Sequence, residues 1–292
     1  MKLDSTVHRN SADTVLKELL RIRAALKRDV ENWKFVNIGA RVLGVQTLKP
    51  IKVTFDTNVW RRLVTEPSQY PALREKIVSG AISPFICQIS ISLESIPKAE
   101  RHDFFKRYRP TVNLTWEHAG GGSFHGKLQI GPNNAAHPGL PPELLDHLLR
   151  ARELGFKVIW MTNLMTVRSS EIPPDMFVKT DSTEQYWAYA QRLSDCSEFI
   201  KSIGCGAYHW ERIKQSPQPV PPKKAASAVA EWVDGDALSA HYSYGADIFC
   251  TKDRARGAGS KSIFYPDNLA KLKERFPIVV LGPDELLQYS KA

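Results

Sequence analysis

Four carboxylates carry the chemistry this sequence offers. Asp56 closes the β-prone run Ile51-Lys-Val-Thr-Phe55, Glu94 follows Ile89-Ser-Ile-Ser-Leu93, Asp236 precedes Ala237-Leu-Ser-Ala240, and Asp253 follows Ala246-Asp-Ile-Phe-Cys-Thr251-Lys252. Each alone has a plain explanation: a turn acid at Asp56 and Asp253, a helix N-cap at Asp236, a solvated helix residue at Glu94. Together they read as a site, because ligands of an open parallel sheet gather beyond the carboxyl ends of its strands. Two carboxylates about 4 Å apart repel by roughly 4 kcal/mol at an effective dielectric near 20. Four on one rim must protonate in part or recruit cations. Oxygen-only donors suit hard divalent ions, Mg²⁺ or Mn²⁺. The chemistry such ions perform on phosphodiesters is hydrolysis.

The elements that must position these acids alternate in type. The runs ending at Asp56 and Asp253 are expected strands, as are Phe85–Ile91, Lys157–Met161 and Ile278–Leu281. Helices are expected from Val59, over Pro71–Val78, after Ser90 or Ser92 (carrying Glu94), over Glu143–Leu154, from Ser182 to about Ile203 through a Ser182/Gln185 capping box, over Asp236–Tyr244, and from Pro283. In the Glu143 helix, Leu144, Leu145, Leu148 and Leu149 are expected to face inward, and Pro217–Lys224 reads as an extended proline-rich linker. Strands alternating with helices predict an α/β fold with a parallel sheet covered on both faces. An N-terminal arm, residues 1–49, is expected to hold a helix with the apolar stripe Val15, Leu19, Ile22, Leu26, Val30 and Trp33.

The chain has 292 residues with 40 Lys+Arg against 31 Asp+Glu, a formal net charge of +9, which favours a polyanionic partner. No apolar stretch approaches the roughly 20 residues of a bilayer helix, so no membrane association is expected. The charge-dense first 30 residues carry no secretory signal, and Cys87, Cys196, Cys205 and Cys250 form no CxxC pair, so a reducing cytoplasm is the expected location.

Val53-Thr-Phe-Asp56-Thr57-Asn58-Val59 resembles the opening strand and Asp-x-Asn turn of the PIN-domain nucleases. Asp236-Ala-Leu-Ser-Ala240 with Gly245-Ala-Asp-Ile-Phe-Cys-Thr251-Lys-Asp253 is similar to that family's second signature. The segment ending at Glu94 resembles the one that carries its glutamate, and Leu281-Gly-Pro283-Asp-Glu-Leu-Leu287 resembles its closing helix. The resemblance covers residues 50–108 and 230–290. It implies a three-layer α/β/α sandwich, metal-binding acids at Asp56, Glu94, Asp236 and Asp253, and supporting hydrogen bonds from Asn58 and Thr251. It further implies a Mg²⁺- or Mn²⁺-dependent endoribonuclease acting on single-stranded RNA, leaving 5′-phosphate and 3′-hydroxyl ends. Some members are toxins restrained by an antitoxin, so a protein partner of that kind, or a second copy of this chain, stays open. A PIN-like domain is thus expected over 50–292, with an insertion at about 109–230. Asp234 is the alternative to Asp236, which is preferred because Ala237, Leu238 and Ala240 follow it in the family's pattern.

An acidic site repels phosphate unless cations surround it. Arg61 and Arg62 follow Asn58, Arg101, Lys106, Arg107 and Arg109 follow the Glu94 helix start, and Lys252, Arg254, Arg256 and Lys261 bracket Asp253; of these Arg61, Arg62, Lys252, Arg254 and Arg256 are the candidate substrate contacts. Trp60, Tyr108, Trp116 and Phe124 are read first as core residues and second as base-stacking groups. Cys196, Cys205 and His209 match no zinc spacing, Gly120-Gly-Gly lacks the Lys-Ser/Thr of a P-loop, and Asn58 replaces the second acid of a phosphatase Asp-x-Asp. Two other readings remain: a catalytically idle scaffold that binds nucleic acid or protein, and a nuclease acting on DNA.

Overall fold

A computed structural model describes residues 49–107, 110–120, 123–132, 137–161, 171–178, 182–218, 220–255 and 257–289. The strands are β1 (Ile51–Phe55), β2 (Ile82–Cys87), β3 (Pro110–Gly120), β4 (Ser123–Pro132), β5 (Lys157–Ile159), β6 (Ile248–Cys250) and β7 (Val280–Leu281). The helices are α1 (Thr57–Thr65), α2 (Pro71–Val78), α3 (Gln88–Glu94), α4 (Arg101–Arg107), α5 (Pro142–Glu153), α6 (Thr183–Ser202), α7 (Ala207–Lys214), α8 (Pro222–Tyr244), α9 (Pro266–Arg275) and α10 (Pro283–Gln288). The N-terminal arm, apart from Lys49, lies outside the described residues, and those from Pro50 onward belong to one compact unit.

Five strands form one parallel sheet in the order β5-β2-β1-β6-β7. Side-chain alternation in these strands feeds two cores. Val53, Phe55, Ile86, Val158, Ile248 and Cys250 face one core, covered by α1, α2, α5 and α10. Phe85, Cys87, Ile159 and Phe249 face the other, covered by α4, α6, α7, α8 and α9. The result is a three-layer α/β/α sandwich. Trp60 is fully buried beside Leu63 in the first core, so it packs rather than stacks on a base. Burying such an apolar side chain is worth about 1.5–3 kcal/mol.

Three expectations change. The run expected as strand Phe85–Ile91 turns helical at Gln88, which places Glu94 at the last residue of α3 rather than near a helix start. An apolar run alone does not separate strand from buried helix. Here the hydroxyls of Ser92 and Ser95 bond the carbonyls of Gln88 and Ile91, four residues back, as only a helix allows. Next, Pro222 does not end a linker but begins α8, since proline is accepted in a first turn where its missing N–H costs nothing. The helix runs 23 residues to Gly245, whose φ of +72° gives the left-handed stop, so Asp236 lies deep inside it. Finally, residues 109–230 are not one insertion. The antiparallel β3–β4 pair is a separate sheet, but β5 is the edge strand beside β2, α5 covers the first core, and α6 and α7 cover the second. Within α5, Leu144 and Leu148 are buried as expected, while Leu149 is exposed.

Among the described residues no helix is long and apolar enough to cross a membrane.

Candidate active site

The chain leaves β1 toward β2 on one side of the sheet and returns through β6 on the other, so the carboxyl ends of β1 and β6 flank the point where strand order switches. Asp56 follows β1 directly and caps α1, its Oδ1 accepting from the Thr57 N–H at 2.6 Å. Its Oδ2 accepts from Asn58 Nδ2 at 2.7 Å and from Thr251 Oγ1 at 2.6 Å. Thr251, fully buried, also accepts the Asp253 N–H at 2.9 Å, and Asn58 Oδ1 accepts the Lys252 N–H at 3.0 Å. The two loops are thus stitched through Asn58 and Thr251, both of which donate to the Asp56 carboxylate. Asp253 in turn accepts the Ala255 N–H at 2.7 Å, bracing Ala255 at a φ of +58°, uncommon outside glycine.

These groups open on a cleft of about 640 Å³ lined by Asp56, Glu94, Asp234 and Asp253, with Arg61, Arg62, Lys98, Arg101 and His147 around them. Asp236 is not among its lining. Residues two apart on a helix point about 200° apart, so only one of Asp234 and Asp236 can face the cleft. The rotation of α8 is fixed where Gly235 meets Gly206: a Cβ on Gly235 would stand 3.1 Å from the Gly206 Cα and 3.2 Å from Ile200 Cγ2. That contact turns Asp234 into the cleft and Asp236 toward α6, where it is buried and its Oδ1 accepts a long bond from Ser197 Oγ at 3.4 Å. The structure therefore gathers Asp56, Glu94 and Asp253 as expected and replaces Asp236 with Asp234.

Electrostatics mark the same cluster. Burial pushes the Asp56 carboxyl up, with the charges of Asp253 and Glu94 adding to it and the bonds from Thr251 and Thr57 opposing it. Asp234 is raised well above the ordinary value, by burial first and then by Asp56, Glu231, Asp253 and Glu94. Among the described residues no hydrogen bond or ion pair reaches the Asp234 carboxylate. Glu94 is held differently: Arg61 lies 3.4 Å from its Oε2 and Arg101 3.4 Å from its Oε1. Arg101 is itself buried and anchored to the carbonyls of Leu93 and Ile96. Among the described residues no group of three His, Cys, Asp or Glu side chains is arranged to hold a metal ion as it stands.

Comparison of the chain with known families, with curated proteins and with solved structures gives no match.

The expected substrate contacts divide. Arg61 and Arg62 line the cleft, although Arg61 also pairs with Glu143 at 3.1 Å and Arg62 bonds Gln69. Lys252 does not line it and stands over the Tyr70 ring, 5.2 Å from the centroid. Arg254 is also absent from its lining and pairs with Glu285 at 3.0 Å. Arg256 lies outside the described residues, as do Tyr108 and the side chains of Trp116 and Phe124. His147 was not singled out by sequence. It stands one helical turn after Glu143, its Nδ1 is buried without a partner, and burial followed by the Arg61 charge lowers its pKa. The only sequence signal for it is that i, i+4 spacing on α5.

Proposed function

We propose that this chain is a Mg²⁺- or Mn²⁺-dependent nuclease of the PIN type, cutting single-stranded RNA internally. The observation that carries this reading is the meeting of Asp56, Glu94, Asp234 and Asp253 in one cleft at the switch point of a parallel sheet. In donor type the set fits a hard divalent ion: all oxygens, mutually repelling, one of them unpartnered. Asp56, Asp234 and Asp253 would hold it, with Glu94 joining once released from its arginines. Such an ion, when bound, lowers the pKa of a water and offsets charge building on the phosphate.

The protein's own groups do the remainder. Thr251 and Asn58 hold the Asp56 carboxylate in one orientation, which raises the fraction of time its free lone pairs face the cleft. Arg62 and Lys98, neither paired with a carboxylate among the described residues, supply positive charge for the substrate phosphates. His147, its pKa lowered by burial and the Arg61 charge, stands in the lining as a group able to accept a proton.

The test is incubation of the purified protein with single-stranded RNA and the same sequence as DNA, with Mn²⁺ or with EDTA, beside Asp234→Asn. RNA cleavage that needs the metal and Asp234 supports the reading; cleavage that survives EDTA or the substitution overturns it. A second reading, binding without turnover, is favoured by the occupation of both Glu94 oxygens by arginines. Tight RNA binding with no products under any divalent ion would select it, and preferential cleavage of DNA would change the substrate.

A further inference from the structure

A second cleft, of about 700 Å³, shares α8 with the acidic one and has the opposite character. Its cations come from three elements: Arg212 on α7, Lys223 and Lys224 in the first turn of α8, and Lys261 at the end of the 3₁₀ turn Gly259–Lys261. All four are exposed, and none makes an ion pair among the described residues. Elsewhere Arg61, Arg101, Arg150, Arg152, Lys201 and Arg254 each have a carboxylate partner. Among the described residues the carboxyl in this lining is that of Glu231, 8% exposed. Burial pushes its pKa up, with the Ser262 hydroxyl opposing and the Asp253 charge adding. Two lining atoms, His209 Nε2 and Glu231 Oε2, are buried with no hydrogen-bond partner among the described residues. Orphaned polar atoms are uncommon in folded proteins and mark places that water or a ligand completes.

We propose that this cleft binds the phosphodiester backbone of a nucleic-acid strand whose reacting linkage lies in the acidic cleft. The inference rests on the nuclease reading for its direction along the strand. Four cations from three separate elements line one cleft, which suits several phosphates better than a single small anion. Among the described residues the lining has no aromatic ring apart from His209 for a base to stack on; Ile213, Val220 and Ala228 supply its apolar part. The contact is therefore with the backbone and tolerant of sequence. The N-terminal end of the long helix α8 adds its positive pole to the same trough. Lys224 and Asp234 are separated by ten residues of one helix, on the order of 15 Å along its axis, so one strand of several nucleotides spans both clefts.

The test measures binding of a labelled oligouridylate dodecamer to the full chain in EDTA by fluorescence anisotropy over a range of salt. Lys223→Gln with Lys224→Gln should reduce the slope of log affinity against log salt by about 1.4 and weaken binding roughly 25-fold at about 0.1 M salt, the loss of two phosphate contacts to a single strand. Asp56→Asn should leave binding intact or tighten it. Unchanged affinity and slope in the double lysine variant overturn the proposal, as does equal or stronger binding of polyglutamate than of the dodecamer. Should the lysine pair compromise folding, Arg212→Gln with Lys261→Gln gives the same readout from other elements. With Mn²⁺ present, the lysine variant should raise KM for the dodecamer and leave dinucleotide cleavage unchanged. A parent protein that binds through these lysines yet cleaves nothing defeats the nuclease reading alone, and one that cleaves with no lysine dependence defeats the cleft alone.

Discussion

The two clefts on either side of α8 differ less in which charges they contain than in which are left over. In the acidic cleft two of the three arginines are tied to carboxylates: Arg61 and Arg101 hold Glu94, and Arg61 also reaches Glu143. What remains there without a partner among the described residues is the Asp234 carboxylate, in a lining where Arg62 and Lys98 also have no carboxylate to pair with. In the basic cleft the four cations make no ion pair among the described residues, Arg212 lying over the Tyr208 ring, and the Glu231 carboxyl is buried with its pKa pushed up. The formal +9 of the whole chain describes neither cleft. Uncompensated groups, not totals, state what a surface is built to receive. Glu231 links the two clefts, because its charge adds to the rise at Asp234 while its side chain lines the basic trough.

The largest test of this contrast is on activity. Asp234→Asn should lower metal-dependent cleavage at least about a hundredfold, since a site of this kind supplies several kcal/mol of transition-state stabilisation. Asp236→Asn should leave the rate per folded molecule within about twofold. Equal losses, measured as initial rates on one RNA, break the assignment of Asp234 over its neighbour.

A smaller effect sharpens the role of the scaffold. Thr251→Val deletes the hydroxyl that donates to Asp56 and accepts the Asp253 N–H. The rate should fall by about 10–100-fold with a matching loss of Mn²⁺ affinity. The stability cost should be about 1–3 kcal/mol, from the buried N–H left unpaired. Cleavage at the parental rate, measured with saturating Mn²⁺, would show that the Asp56 carboxylate needs no such bond.

The smallest effect is on stability without metal. The folded state holds the Asp234 carboxyl above its unfolded value of about 3.9. Its contribution to stability is therefore present below that value and is lost as pH rises through the folded one. Asp234→Asn removes the loss. In EDTA at neutral pH the variant should melt on the order of a few degrees higher than the parent, with the gap closing as pH falls toward about 4. A gap that does not change with pH would mean that crowding of like charges is not its source.

Much of the layout was legible because it depends on local rules. The Ser182 cap with Gln185, the strands that end at Asp56 and before Asp253, and the stop at Gly245 each follow from a few adjacent residues, and each is found. Glu94 was legible as a site residue but not as the end of α3, since Ile89-Ser-Ile-Ser suits a strand and a buried helix alike. His147 and most of the basic trough were not legible. Of the trough's cations only Lys261 stands in a run that reads as basic; the others, and His147, come from α5, α7 and α8, in stretches with no chemical motif of their own.

Asp234 and Asp236 divide the two kinds of information most clearly. The amino-acid order by itself determined that an α/β sandwich would form and that acids would stand beyond the ends of β1 and β6, because strand patterning and turn chemistry are short-range. Which acid of α8 turns toward them was decided only in three dimensions. A helix can rotate about its axis without changing its own hydrogen bonds, and here the close approach of Gly235 to Gly206 fixes that rotation.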